Sequence, residues 1–133
     1  MNKKTWLEII RMRDYCLCAG PEVTAANLLL AEVCRHPSDK RISYMEIFIS
    51  DKNGDVQVDI AALTGELYRL AEETASELAD MERNAGTELK KQQMSSARVQ
   101  LLKVDFALLK FHKSPEFMRF LTDLYYHFKK TKK

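Results

Sequence analysis

Apolar residues recur along most of this chain with the period of an α-helix. Over residues 60–81, and again over residues 94–111, mostly apolar side chains return every three or four positions. Steps of this size place them on one face of a helix, so we predict two amphipathic helices. The predicted faces are Ile60, Leu63, Leu67, Leu70, Thr74, Leu78 and Met81 in the first, and Met94, Ala97, Leu101, Val104, Leu108 and Phe111 in the second.

A short turn is predicted between these two helices at residues 84–87. Gly86 suits the left-handed residue that ends many helices, and Thr87 suits the N-cap of the next one. One uninterrupted helix would run for about fifty residues, which is unusual in a globular domain. We therefore expect two antiparallel helices.

Two further helices are predicted in the N-terminal third. Thr5 and Glu8 have the spacing of a capping box, which predicts a helix over residues 6–17. The Gly-Pro pair at residues 20–21 ends it and begins another, because proline is favoured in the first turn of a helix. This second helix stops before Pro37. Its predicted apolar face is Val23, Ala26, Leu30 and Val33.

The last predicted helix begins at Ser114 and Pro115, which suit an N-cap and a first helical residue. Most aromatic residues of this segment fall on one face and are expected in the core, whereas Tyr126 and His127 are expected to be exposed. The predicted face is Phe117, Leu121, Leu124 and Phe128, flanked by Met118 and Tyr125.

Residues 42–60 depart from the helical period and alternate in steps of two. Asn53-Gly54 lies between two alternating runs, and this dipeptide is favoured in two-residue hairpin turns. A β-hairpin over residues 42–60 is therefore predicted. Its alternating residues are Met45, Ile47 and Ile49 in one arm, and Val56, Val58 and Ile60 in the other.

Length and composition fit a single helical domain over residues 1–133. The hydrophobic share is 46% and the charged share is 30%, which are ordinary values for a soluble globular protein. The fold class that we predict is mainly α: a single-domain bundle of about five helices with one small β-hairpin. The absence of a long apolar run and the odd number of cysteines, three, indicate a cytoplasmic protein that does not enter the membrane.

Charge is distributed unevenly along the chain. Residues 44–88 contain 3 basic and 11 acidic residues, whereas residues 89–133 contain 11 basic and 3 acidic residues. Pairing between the acidic and the basic helix is one interpretation, and two charged poles that recruit partners are the other. The wide apolar face of residues 97–111, with Leu102, Phe106 and Leu109 beside the main stripe, is either the centre of the bundle or an oligomer or partner interface.

Two groups of residues have metal-binding side chains. Residues 51–62 resemble an EF-hand calcium loop, with oxygen ligands at its first, third, fifth and ninth positions. Val56 replaces the loop glycine and Ala62 replaces the bidentate glutamate, so a polar hairpin tip is the simpler interpretation. The calcium candidates are Asp51, Asn53, Asp55 and Asp59. The zinc candidates are Cys16, Cys18, Cys34 and His36, whose spacing does not match the usual zinc fingers. We predict no metal and no cofactor.

The sequence contains no glycine-rich phosphate loop and no nucleophile with an evident orienting partner, so we expect no enzymatic activity. Small size and segregated charge favour a non-enzymatic interaction protein: an adaptor, an inhibitor or a small subunit that binds a macromolecular partner through a helical or charged face. The alternative is a nucleic-acid-associated subunit that contacts phosphates through its basic C-terminal half. A homo-oligomer is also compatible with the sequence. The candidate contact residues are Lys90, Lys91, Arg98, Lys103, Lys110, Lys113, Arg119, Lys129, Lys130, Lys132 and Lys133.

Overall fold

The computed structural model describes residues 21–108 and 115–131. These residues form five α-helices and one antiparallel two-stranded sheet, which confirms the predicted helical bundle with a small hairpin. The helices are α1 (Pro21–Arg35), α2 (Arg41–Met45), α3 (Ile60–Arg83), α4 (Glu88–Leu102) and α5 (Pro115–Thr131), and the strands are β1 (Ile49–Lys52) and β2 (Asp55–Val58). The predicted helix over residues 6–17, with its capping box of Thr5 and Glu8, lies outside the described residues, as does the predicted N-cap Ser114.

Helices α3 and α4 form the predicted pair, joined by residues 84–87. The side chain of Asp59 caps α3 by accepting a hydrogen bond from the backbone N–H of Ala62 at 3.1 Å. Thr87 caps α4 in the same way, at 3.2 Å from the backbone nitrogen of Lys90. Each predicted face is buried in part: Leu63, Leu67 and Leu70 in α3, and Met94, Ala97 and Leu101 in α4. Ile60 and Met81, at the two ends of the predicted α3 face, are about half exposed.

Helix α4 is shorter than its apolar repeat predicts. It ends at Leu102, and the following turn buries Phe106 completely, with its ring centroid 5.4 Å from that of Tyr68. The hydroxyl of Tyr68 donates a hydrogen bond to Asp105 at 2.5 Å, which holds this turn against α3. Leu108, which the repeat places on the buried face, is therefore 69% exposed. The other predicted apolar positions here, Leu109 and Phe111, lie outside the described residues.

The β-hairpin is confirmed, but both arms are shorter than predicted. Strand β2 ends at Val58, and Ile60 is the first residue of α3. Residues 42–45 belong to helix α2 instead of the strand, and Ile47 lies in the following turn, 60% exposed. The strands pair Ile49 with Val58 at the open end. At the closed end, Asn53 and Gly54 have φ angles of 56° and 86°, as a two-residue hairpin turn requires.

One hydrophobic core joins α1, α2, β1, α3 and α5. In α1 the buried face is wider than predicted, because this helix contacts α3, α2 and α5 together. Its buried residues are Thr24, Ala25, Leu28, Leu29, Leu30 and Val33, whereas the predicted Val23 and Ala26 are only partly buried. In α5 the predicted face is confirmed: Phe117, Leu121, Leu124 and Phe128 are buried, together with Phe120 and Tyr125. Tyr126 and His127, which we expected to be exposed, are half-buried.

Candidate interaction surface

Helix α4 packs mainly on α3, and one flank of it faces away from that contact. At about 100° per residue, Lys91, Arg98 and Leu102 fall within about 40° of one another, and Val99 lies about 60° further round. Val99 is 43% exposed and Leu102 is 56% exposed. These four residues, two cationic and two apolar, are called the α4 surface below.

A groove of about 400 Å³ lies between α3 and α4 beside this surface. Three of its five lining residues are cationic, namely Arg83, Lys91 and Arg98; the other two are Ala79 and Glu82. Cations that converge in a groove raise the local concentration of anionic groups. The groove is therefore suited to a carboxylate or another anion from a partner.

Arg98 is positioned in the groove by a contact with the opposite helix. Its guanidinium donates a hydrogen bond at 3.0 Å to the Oε2 atom of Glu82, and both side chains are about one-third exposed, at 35% and 28%. Its Nε atom is buried without a hydrogen-bond partner among the described residues. In the part of the chain that the structure describes, Arg98–Glu82 is the one ion pair that joins α3 to α4.

Most acidic residues of α3 are instead paired with arginines of α3 itself or of α1. Arg69 contacts Glu66 and Glu73, each at 2.5 Å. Arg35 of α1 contacts Glu77 at 3.0 Å, and Arg83 pairs with Asp80. Among the described residues, Arg98–Glu82 is therefore the one contact that fits the predicted pairing of the acidic with the basic helix, and Lys129–Asp51 joins the two charged segments elsewhere.

Ionisable side chains gather where α1, α2 and α3 meet, in a cluster that we did not predict from the sequence. Glu32 lies 3.7 Å from both His36 and Arg69. His36 stacks on Tyr44 with ring centroids 4.6 Å apart. Hydrogen bonds from Arg69 hold the pKa of Glu66 below its usual value, and burial raises the pKa of Tyr44. The available signal was the spacing of Glu66, Arg69 and Glu73, which places all three on one side of α3.

The four calcium candidates have separate structural roles in the hairpin. Asp51 accepts a hydrogen bond from the backbone N–H of Gly54 at 3.0 Å and another from Lys129 of α5 at 3.0 Å. Asp59 caps α3, Asn53 forms the turn, and Asp55 accepts a weak hydrogen bond from Gln57 at 3.4 Å. The carboxylates of Asp51 and Asp59 are thus occupied by hydrogen bonds within the chain.

Two of the four zinc candidates are described, and they lie at the end of α1. Cys34 is half-buried, and its carbonyl oxygen accepts a hydrogen bond from Arg41 at 3.3 Å. His36 is stacked on Tyr44 as described above. Cys16 and Cys18 lie outside the described residues. Across residues 21–108 and 115–131, no three His, Cys, Asp or Glu side chains are grouped in a way that could hold a metal ion.

The candidate contact residues of the basic half do not form one continuous track. Lys91 and Arg98 meet in the groove, whereas Lys103 lies about 140° round the helix from Arg98. Lys90 and Arg119 are exposed elsewhere, and Lys129 is bonded to Asp51. The remaining candidates, Lys110, Lys113, Lys132 and Lys133, lie outside the described residues, and so does the side chain of Lys130.

Among the described helices, none combines the length and the apolar character needed to cross a membrane. Even α3, at 24 residues the longest of them, carries charged side chains from Glu66 to its end at Arg83. Comparison of the chain with protein-family models, with curated proteins and with solved structures found no significant match.

Proposed function

We propose that this chain is a non-enzymatic interaction protein that binds a macromolecular partner through the α4 surface. The observation that carries the proposal is the position of Val99 and Leu102, which are exposed on the same flank of α4 as Lys91 and Arg98. Single exposed apolar residues are common on any protein. Val99 and Leu102 lie one helical turn apart beside a cationic groove, so one partner can cover both side chains and contact the cations as well.

The other charged regions give less support to partner binding. The carboxylates of α3 are mostly held by Arg35, Arg69 and Arg83. The ionisable cluster around Arg69 is likewise occupied by internal ion pairs, which favours a structural role for it over acid–base chemistry. The α4 surface, by contrast, has its apolar side chains open to solvent.

Nucleic-acid binding is the alternative function, and the cations Arg83, Lys91 and Arg98 favour it. Neutralising phosphates releases counterions, so such binding weakens steeply as salt increases. Two features reduce the support for this alternative. The lysines of α4 are spread around the helix, and Val99 and Leu102 have no counterpart on a phosphodiester backbone.

Site-specific photo-crosslinking in the organism that produces the protein tests the proposal. The photoreactive residue p-benzoylphenylalanine replaces Leu102 in one variant and Leu89 in another. Leu89 is a matched control because it is also exposed, at 65%, and lies about 140° round the same helix. We expect position 102 to give a discrete protein adduct that position 89 does not give.

Three outcomes would count against the proposal. Equal adducts from positions 89 and 102 would mean that this face of α4 has no special role. No adduct at position 102, from a protein that folds normally and is present at its usual level, would remove the proposed surface. Adducts that contain mainly RNA or DNA would replace the proposal with the alternative function.

A further inference from the structure

We infer that the partner segment is an acidic amphipathic helix of another protein. This inference rests on the proposed function and specifies the chemistry of the partner. Its two observations are the apolar pair Val99 and Leu102, and the cationic groove formed by Arg83, Lys91 and Arg98.

The shape of the α4 surface favours a helix as the partner. Val99 and Leu102 are three positions apart, so their exposed side chains form a stripe one turn long. An amphipathic helix covers such a stripe with apolar residues at three- or four-residue spacing. A single side chain or a small ligand would leave part of the stripe exposed to water.

The charge of the groove specifies the remaining part of the partner. Lys91 is eleven positions before Leu102, which corresponds to about 16 Å or three helical turns along α4. Arg98 and Arg83 line the same groove as Lys91. A bound helix that covers Leu102 therefore brings its own residues, two or three turns away, to the cations. Carboxylates at those positions complement the groove.

A protein carboxylate suits this groove better than a nucleic acid does. Glu82 lines the groove and Asp80 is paired with Arg83, so two negative charges lie among the three cations. Such a mixture has a net charge of +1, which one or two carboxylates match more closely than the dense charge of a phosphodiester chain does. Lys91 makes no ion pair with any residue that the structure describes, so it can pair with a partner without breaking an internal contact.

Selection from a random library of 16-residue peptides, with the full-length chain as the target, tests the inference. We expect the enriched peptides to combine an apolar pair at three- or four-residue spacing with Asp or Glu two or three turns away. Lys91→Glu should weaken the binding of an enriched peptide by at least about fivefold, since it replaces attraction by repulsion. Lys90→Glu is the matched control, because Lys90 is also exposed and the same charge change is made about 100° round the helix from Lys91 and about 180° from Val99. It should leave the affinity unchanged.

The outcomes separate this inference from the proposed function. If the enriched peptides are neutral or basic, and if Leu102→Glu but not Leu89→Glu abolishes their binding, the α4 surface is supported as the binding site. The inference of an acidic helix would then be wrong. If the enriched peptides bind equally well to the Leu102→Glu variant, or if no peptide is enriched, both are overturned. Preference for a mixed-sequence oligonucleotide over the peptides, lost in Lys91→Glu, would also overturn the inference. Unchanged thermal unfolding of each variant ensures that a loss of binding is not a loss of folding.

Discussion

The ammonium group of Lys129, in the last turn of α5, donates a hydrogen bond at 3.0 Å to the carboxylate of Asp51 in β1. Tyr126 approaches the same carboxylate oxygen at 3.5 Å, so one acidic residue connects the hairpin to the C-terminal helix twice. The contact with Lys129 lowers the pKa of Asp51 and raises that of Lys129. Asp51, a calcium candidate by its position in the loop, is therefore an anchor between two elements.

Asp51→Asn should make the protein less stable at neutral pH and should change how its stability depends on pH. Because the pKa of Asp51 is lower in the folded than in the unfolded chain, its contribution is present above the ordinary carboxyl pKa of about 4. That contribution is lost as the pH falls through the folded value. Asparagine keeps an acceptor for the N–H of Gly54, so the variant retains the turn contact and removes the charge together with the acceptor for Lys129 and Tyr126. Urea unfolding at pH 7, 5 and 3 should show a difference from the wild type that shrinks toward pH 3.

Asp55→Asn is the control for this experiment. It removes the same charge from the same hairpin, but Asp55 makes no ion pair with any described residue. Its effect at pH 7 should be smaller than that of Asp51→Asn. Equal effects of the two substitutions at every pH would show that the Lys129 contact adds nothing to stability.

Two adjacent leucines of α4 should respond differently to truncation. Leu101 is fully buried against α3, so Leu101→Ala should lower the free energy of unfolding by about 2–5 kcal/mol. Leu102 is 56% exposed, and Leu102→Ala should change it by less than about 0.5 kcal/mol. Denaturant unfolding of both variants checks this prediction. A large loss in Leu102→Ala would mean that the α4 surface is covered within the free chain.

Two exposed glycines should also respond in opposite directions to alanine. Gly54 has a φ of 86°, which alanine adopts only with strain, so Gly54→Ala should destabilise the hairpin by roughly 1–2 kcal/mol. Gly65 lies inside α3, where an added methyl group meets no atom within 4 Å, so Gly65→Ala should stabilise the protein by about 0.5–1 kcal/mol. Thermal unfolding midpoints give the sign of each change. Shifts in the same direction for both variants would contradict the assigned backbone conformations.

Arg69→Met should lower stability, because it leaves Glu66 without its cation and leaves Glu32 with His36 as its remaining partner. The side chains of Glu32 and Glu66 are each 12% exposed. We expect a loss of about 1–2 kcal/mol at pH 7, kept modest because Arg69 is itself 46% exposed and water screens its charge. The pKa of Glu66 is lowered in the folded protein, so the stabilisation is present above a pH of about 4.3 and is lost below it. The difference between Arg69→Met and the wild type should therefore decrease in acid.

Arg83→Met is the comparison for Arg69→Met. Arg83 pairs with Asp80 at the surface, where both side chains are mostly exposed, and exposed pairs contribute little. Arg83→Met should therefore lower the free energy of unfolding by less than about 0.5 kcal/mol. If the two arginine variants were equally stable in urea titrations at pH 7, the cluster around Arg69 would contribute no more to stability than the exposed Arg83–Asp80 pair.

The sequence predicted the long helices because their apolar periods are local. The faces of α3 and α5 each repeat over several turns, and Leu67 and Leu121 are buried as that period requires. Helix α2 was missed because five residues are too few to separate a helical period from alternation. Met45 fits both patterns. In the helix, Tyr44 stacks on His36, a contact with a residue outside the segment that the local pattern does not predict.

The candidate surface was predicted only in part, for a similar reason. Lys91 and Arg98 were identified as contact residues from the basic charge of their segment. Charge counts do not tell which cations converge, and the inclusion of Arg83 depends on how α3 and α4 align. The Asp51–Lys129 contact, between residues 78 positions apart, leaves no periodic signal in the sequence at all.

The short turn at residues 84–87 lets α3 and α4 meet early during folding. Arg98 and Glu82 are 16 positions apart, so their contact closes a short loop at little cost in chain entropy. Joining Asp51 to Lys129 closes a loop of 78 positions. We therefore expect the hairpin to dock on α5 after the rate-limiting step. Asp51→Asn should then speed unfolding in stopped-flow measurements while leaving the folding rate nearly unchanged.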